Sequence, residues 1–293
     1  MIRSRGIHVV GNRTWAIEFG ESLLVMDPGF EEQPTLDNLV RLQEESGRPV
    51  SHLFLSHDHS DHADNLDCFF HYQDKGALDF VLVAHEKSKS ATRAKAQGRR
   101  CHLVGSDEVM VLPGGEVHLL STPGHTPWGD DLCVWLPSKG SLFAGDLPQP
   151  QGPSYEECTF HTAFSNHADG ETVLGSLDKL LALPFEVLLM GHEGEALGKK
   201  EGRVALEITQ KVLRRTKSLS QKLIAENPQE EAATYVEWIF DTISWERGMT
   251  KEKSEGRKAE GHGGPCQRLS PYCYYNLYDT PSIKFFISRE LGN

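Results

Sequence analysis

In the first two-thirds of the chain, apolar residues fall in short runs broken by Gly, Pro, Asp and Asn. Runs rich in β-branched and aliphatic residues predict strands over 8–10, 14–19, 22–26, 52–55, 80–84, 108–112, 116–120, 132–136, 141–144 and 187–190. Helical spacing predicts helices over 35–45, 86–97 and 171–183, the last with Leu174, Leu177, Leu180 and Leu181 recurring along it. Strands alternating with helices imply a layered α/β domain. The pattern changes near residue 200. Helical periodicity returns over 201–225 and 228–245, and Val204, Ile208, Val212 and Leu219 are expected on one side of the first segment. The stretch 246–264 is nearly devoid of apolar residues and reads as a charged, solvated loop. The tail carries Tyr272, Tyr274, Tyr275, Tyr278, Phe285 and Phe286 and is expected to pack back onto the rest. The expected organisation is a domain over 1–200 and a helical and aromatic extension over 201–293.

Composition narrows the class. At 293 residues, with 38% hydrophobic and 25% charged, the chain can bury a sizeable core as a soluble globular protein. No apolar run reaches the roughly 18 to 20 residues of a membrane span, and the opening MIRSRGIHVVGNRTW lacks a signal-like apolar segment, so a cytoplasmic protein is expected. Six Cys without a C-x-x-C pair point to reduced, structural thiols. A net charge of −12, from 30 Lys and Arg against 42 Asp and Glu, disfavours a nucleic-acid partner, which needs clustered cations. The 14 His are the unusual feature.

Four of them lie in SHLFLSHDHSDH, where an apolar strand ends and His57, His59, Asp61 and His62 follow as H-x-H-x-D-H. At this chain's own His and Asp frequencies, that pattern would arise by chance in roughly 0.002 of such chains. Imidazole and carboxylate suit Zn²⁺, and also Fe or Mn, and a tight loop of four such groups can feed two adjacent ions. Three other predicted strands also end in turns carrying His or Asp: STPGHT delivers His125, AGDLP delivers Asp146 and MGHEGE delivers His192. In a layered α/β fold such strand ends converge on one edge, where ligand sites form. His85, His161 and His167 also lie near these turns and read as hydrogen-bonded structural or surface residues. G-x-S-x-G, P-loop and G-x-G-x-x-G patterns are absent.

The set SHDHSDH, TPGHT, AGD and GHE, in that order, resembles the metallo-β-lactamase superfamily over about residues 1–200. The resemblance implies a four-layer αββα sandwich with two divalent metal ions at one edge. It implies His57, His59 and His125 on the first ion, Asp61, His62 and His192 on the second, and Asp146 bridging them. SLLVMDPG resembles the early aspartate motif, so Asp27 is expected to orient a ligand from behind. Water shared by two dications has its pKa lowered towards about 7, which supplies a nucleophile without Ser or Cys, and Asp61 would orient it and shuttle a proton.

Within the superfamily the chain is most similar to the glyoxalase II and thioesterase-like branch, which implies hydrolysis of an ester or thioester of a small molecule. His62 is followed by Ala-Asp-Asn in place of a Gly-containing turn, and the basic glutathione-binding signature is missing. The Tyr that acyl-homoserine lactonases place after the bridging Asp is replaced by Leu147-Pro148-Gln149. The alternatives are an iron-dependent oxidoreductase of the persulfide dioxygenase type, a phosphodiesterase or nuclease on the same scaffold, and a metal-bound signalling module without catalysis.

Overall fold

The computed structural model describes residues 5–30, 33–148, 169–191, 196–248, 255 and 280–292. Six strands form the first sheet: β1 (Ile7–Val9), β2 (Trp15–Phe19), β3 (Ser22–Met26), β4 (Val50–Leu55), β5 (Val81–His85) and β6 (Cys101–Val104), paired in chain order. The first three pair antiparallel, and β3 to β6 are parallel. The parallel connections carry α1 (Gln33–Ser46), α2 (Ser60–Ala63), α3 (Leu66–Asp74) and α4 (Lys89–Ala96). The second sheet holds β7 (Glu108–Leu112), β8 (Gly115–Ser121), β9 (Leu132–Leu136), β10 (Ser141–Phe143), β11 (Val187–Leu189) and β12 (Ala196–Gly198), again in chain order. Only β10 and β11 pair in parallel there.

Strand periodicity divides the core into two layers. Leu23 and Val25, Leu53 and Leu55, and Leu82 and Ala84 face Leu36, Leu39, Phe69 and Ala91 of the helices. The alternate positions Leu24, Met26, Phe54 and Val83 join Leu119, Val134, Phe143 and Leu189 between the sheets. Each Leu, Val or Phe so buried contributes about 1.5–3 kcal/mol relative to exposure, and a one-residue slip would exchange the two faces. β3, β7 and β9 occupy the predicted spans. β6, β12, α2 and α3 were not predicted. The runs CHLV and ALG carry too little apolar pattern, and α3 is hidden behind the metal-ligand motif.

The chain divides into two compact units, Met1–Asp146 with Leu183–Gly202, and Leu147–Ala182 with Arg203–Asn293. In the first, the opening turn of α6 (Lys199–Glu226) lies against β11, because Gly202 lets its backbone approach Leu188 and Phe185. Two mixed sheets packed face to face with flanking helices, followed by a helical C-terminal region, give the expected αββα class. The second unit contains α5 (Gly170–Leu181), the rest of α6, α7 (Ala232–Glu246) and α8 (Thr280–Leu291). Val212, Leu219, Tyr235, Ile239, Phe240, Ile283 and Ile287 form its core.

The expected stripe on α6 is corrected at Val204, which is 38% exposed. Steps of four residues drift by about 40° each, so Val204 leaves the face that Val212 buries, and Ala205 takes its place. Phe286 is buried in α8, as expected of the tail, whereas Tyr272, Tyr274, Tyr275, Tyr278 and most of 246–264 lie outside the described residues. Among the described residues, no helix is long and apolar enough to cross a membrane.

Candidate metal centre

The carboxyl ends of β3, β4, β8, β10 and β11 bring the predicted turns to one edge of the sandwich. Two contacts fasten the sheets there: Leu132 N–H donates to Ser56 O (2.8 Å), and Trp15 Nε1–H donates to Met190 O (2.9 Å).

Asp27 follows β3 and is buried. It is the one non-glycine with positive φ among the described residues (φ 54°), a conformation disfavoured for side chains with a Cβ and kept where surrounding bonds overdetermine it. Those bonds are present. Asp27 Oδ1 accepts from Ser56 N–H (2.7 Å), and Oδ2 accepts from Ser56 Oγ–H (2.8 Å) and from His62 Nδ1–H (2.7 Å). The Ser56 hydroxyl has one proton and gives it to Asp27, so its oxygen accepts from His57 Nδ1–H (2.8 Å). That fixes the tautomer of His57 and leaves the Nε2 lone pair facing inwards.

His57 Nε2 lies 2.9 Å and His125 Nε2 3.2 Å from His59 Nδ1. Asp146 Oδ2 is 3.7 Å from His125 Nε2, and its other oxygen, Oδ1, is 3.3 Å from His62 Nε2. Asp61 Oδ2 stands 3.8 Å from His62 Nε2 and 3.1 Å from Arg13 Nε. One ligand atom from each of His57, His59, His125 and Asp146 falls within 4.8 Å of the others, a His/Asp cluster that could hold a metal ion. His192 lies outside the described residues, as do His161 and His167. Its neighbour Gly191 donates its N–H to Gly145 O (2.9 Å), and a Cβ there would collide with Asp146 Oδ1 and His62.

Burial and the neighbouring His62 hold His57 well below its ordinary pKa, and burial together with His125 lowers His59 to about 4. Both therefore stay neutral, the form that coordinates a cation. His62 moves the other way: burial opposes its charge, but Asp146 and Asp27 outweigh that and raise it well above the ordinary value.

Three acids that the sequence reading passed over hold the loops together. Asp131 Oδ2 accepts from Gly124 N–H and Thr126 N–H (both 3.2 Å), which flank His125, and from Thr126 Oγ–H (3.1 Å). Burial and the charge of Asp130 push Asp131 up to about 8. Asp130 Oδ2 accepts from Asp58 N–H (2.9 Å). Asp58, the middle residue of H-x-H, accepts from Ser88 Oγ–H (2.8 Å) and from the N–H groups of Lys89 and Ser90, capping α4. The doubled acid after Gly129, just ahead of β9, was the available sequence signal. His85 is buried outside this cluster; it accepts from Lys87 N–H (3.2 Å), which leaves Nε2–H to donate to Ser121 Oγ (3.3 Å).

Residues 9–192 match the family model of the metallo-beta-lactamase superfamily. The chain therefore belongs to that superfamily. It is 26% identical over 208 residues to Thioesterase pkgB of Emericella nidulans, a match covering 71% of this chain and 53% of that protein. It is also 24% identical over 147 residues to an atrochrysone carboxyl ACP thioesterase of the same organism, covering 50% of this chain and 43% of the relative. The chain thus spans about half the length of these curated relatives. Among solved structures, a metallo-beta-lactamase from Pontibacter korlensis superposes with a TM-score of 0.51 at 18% identity, covering 71% of this chain and 98% of that one, a likeness of fold.

Proposed function

We propose that the chain is a dinuclear metal-dependent hydrolase acting on an ester or thioester of a small molecule. The observation that carries this reading is the convergence of three imidazoles on the two-sided carboxylate of Asp146. His57, His59 and His125 would hold one divalent cation and Asp61, His62 and His192 the second, with Asp146 serving both. Zn²⁺ suits this nitrogen and oxygen donor set best. Bound cations supply Lewis acidity and acidify water at the site.

The chain's own residues do the rest. Asp27 and Ser56 lock the two buried imidazoles of His57 and His62, so the donors are ordered before any cation arrives. Asp61, held by Arg13 and more exposed than Asp146, orients the attacking water and passes its proton outwards. The thioesterase names of two relatives support thioester cleavage in particular. The extension 201–293 lies beyond the residues that form the centre.

The test is metal analysis of protein purified without added metal, combined with turnover of thioester, lactone and phosphodiester panels. About two Zn²⁺ per chain are expected, with thioester or ester hydrolysis lost on chelation and in His59→Ala and Asp146→Ala. Iron with thiol-dependent oxygen uptake, or turnover that survives chelation, would overturn the reading.

A further inference from the structure

Trp128 is among the large apolar side chains left open to solvent, at 39% exposure. Its ring stands 5.8 Å from that of His59, edge to face at 73°, so it borders the metal centre on the His59 side. Lys89 Nζ lies 5.1 Å from the Trp128 ring centroid. Lys87 Nζ sits over the next residue, where a Cβ on Gly129 would meet it at 3.4 Å. The positive φ of Gly129 (66°) turns the chain beneath that ammonium.

This corner is rigidly built. Lys87 and Lys89 bracket Ser88, the buried N-cap of α4, whose hydroxyl donates to Asp58 and accepts from Ala91 N–H (3.0 Å). Asp130, two residues beyond Trp128, binds the backbone of Asp58. The H-x-H loop, the start of α4 and the Trp128 turn are therefore one hydrogen-bonded unit. Among the described residues, neither lysine ammonium has a carboxylate within 4 Å, in a chain of net charge −12. A part-exposed indole with one ammonium over its ring and a second over the next residue, beside the metal centre, suits a flat group that packs on the exposed part of the ring and carries a negative charge towards the lysines.

We infer that Trp128, Lys89 and Lys87 form the acyl-recognition site of this enzyme and select a planar acyl group bearing an anionic substituent. The selection of an acyl group rests on the hydrolase reading above; the binding site itself does not. Isothermal titration of the full-length, metal-bound protein with 4-nitrobenzoate and with 4-nitrobenzamide isolates the charge at nearly constant shape. Wild type is expected to prefer the benzoate about tenfold, and Lys89→Glu to collapse that preference while its metal content stays that of wild type. Trp128→Ala is expected to weaken both ligands.

A matched pair of N-acetylcysteamine thioesters, of 4-carboxybenzoate and 4-carbamoylbenzoate, extends the test to turnover, where kcat/KM should favour the charged substrate in wild type. Equal binding of benzoate and benzamide by wild type, or a preference unchanged in Lys89→Glu because the carboxylate sits on the metals alone, would overturn the inference. If neither thioester turns over yet the benzoate preference is present and lost in Lys89→Glu, the hydrolase reading falls and the anion site stands.

Discussion

His57 just past β4 and His62 five residues on in α2 are both buried, and their proton affinities are driven in opposite directions. Burial alone would lower both, since it penalises the imidazolium. What separates them is the partner. His57 leans on the hydroxyl of Ser56, a neutral acceptor whose own proton is committed to Asp27, so nothing offsets desolvation sufficiently. His62 lies between the carboxylates of Asp27 and Asp146, and two negative charges outweigh the same penalty. One buried acid thus orients both rings, His62 directly and His57 through one hydroxyl, while burial and the neighbouring His62 keep His57 low. Under the proposed two-cation arrangement, His57 would meet a cation as a neutral donor, whereas at His62 an incoming cation would have to displace a proton.

Asp27 is where both rings can be disturbed most severely. Asp27→Ala removes the acceptor of three buried donors, and a loss of about 3–5 kcal/mol is expected, read as a lower urea midpoint with unchanged slope. A loss under about 1 kcal/mol would mean that the acid does not organise the loop. Ser56→Ala is narrower: it leaves His62 with its carboxylates but takes away what fixes the His57 tautomer. About 1–3 kcal/mol of stability and about tenfold of metal affinity should go, measured by chelator competition. An equal loss from substitutions that spare both rings would show that the tautomer lock is irrelevant.

The smallest expected effect concerns pH and the neighbouring loop. Asp131 is raised to about 8 in the folded protein, against about 4 for a free carboxyl. The folded state therefore keeps a proton that the unfolded chain has lost. The stability this contributes is full below about pH 4 and is lost as pH rises through about 8, at no more than about 1.4 kcal/mol per pH unit. Asp131→Asn keeps an oxygen for Gly124 N–H and Thr126 N–H and cannot titrate, so its urea midpoint should decline less than that of wild type between pH 5 and pH 9. Parallel declines would remove Asp131 as the source.

Much of this molecule is legible in one dimension because the relevant signals are local. Ser22–Met26 and Leu132–Leu136 are apolar runs bounded by turn residues, so their extents follow from neighbours in sequence. His57, His59, Asp61 and His62 are a dense pattern of ligand-type side chains, and His125 and Asp146 each follow a strand through a glycine turn. Cys101–Val104 becomes a strand only because β5 offers an edge to pair with, and no run of three or four half-polar residues announces that. Val204 is apolar but exposed, because its helix buries the adjacent face.

The layered α/β class, most of the strands and the ligand-type residues on the strand-end turns follow from the order of residues alone, since periodicity and turn chemistry are written in consecutive residues. Folding alone brings Ser56 and His62 together on Asp27, Asp131 to the backbone on both sides of His125, and Lys89 to Trp128 and Lys87 to Gly129 beside His59. The physical reason is that these depend on which loops arrive at the same edge. A carboxylate's role is set by the donors that surround it after folding, and those donors come from segments far apart in the chain.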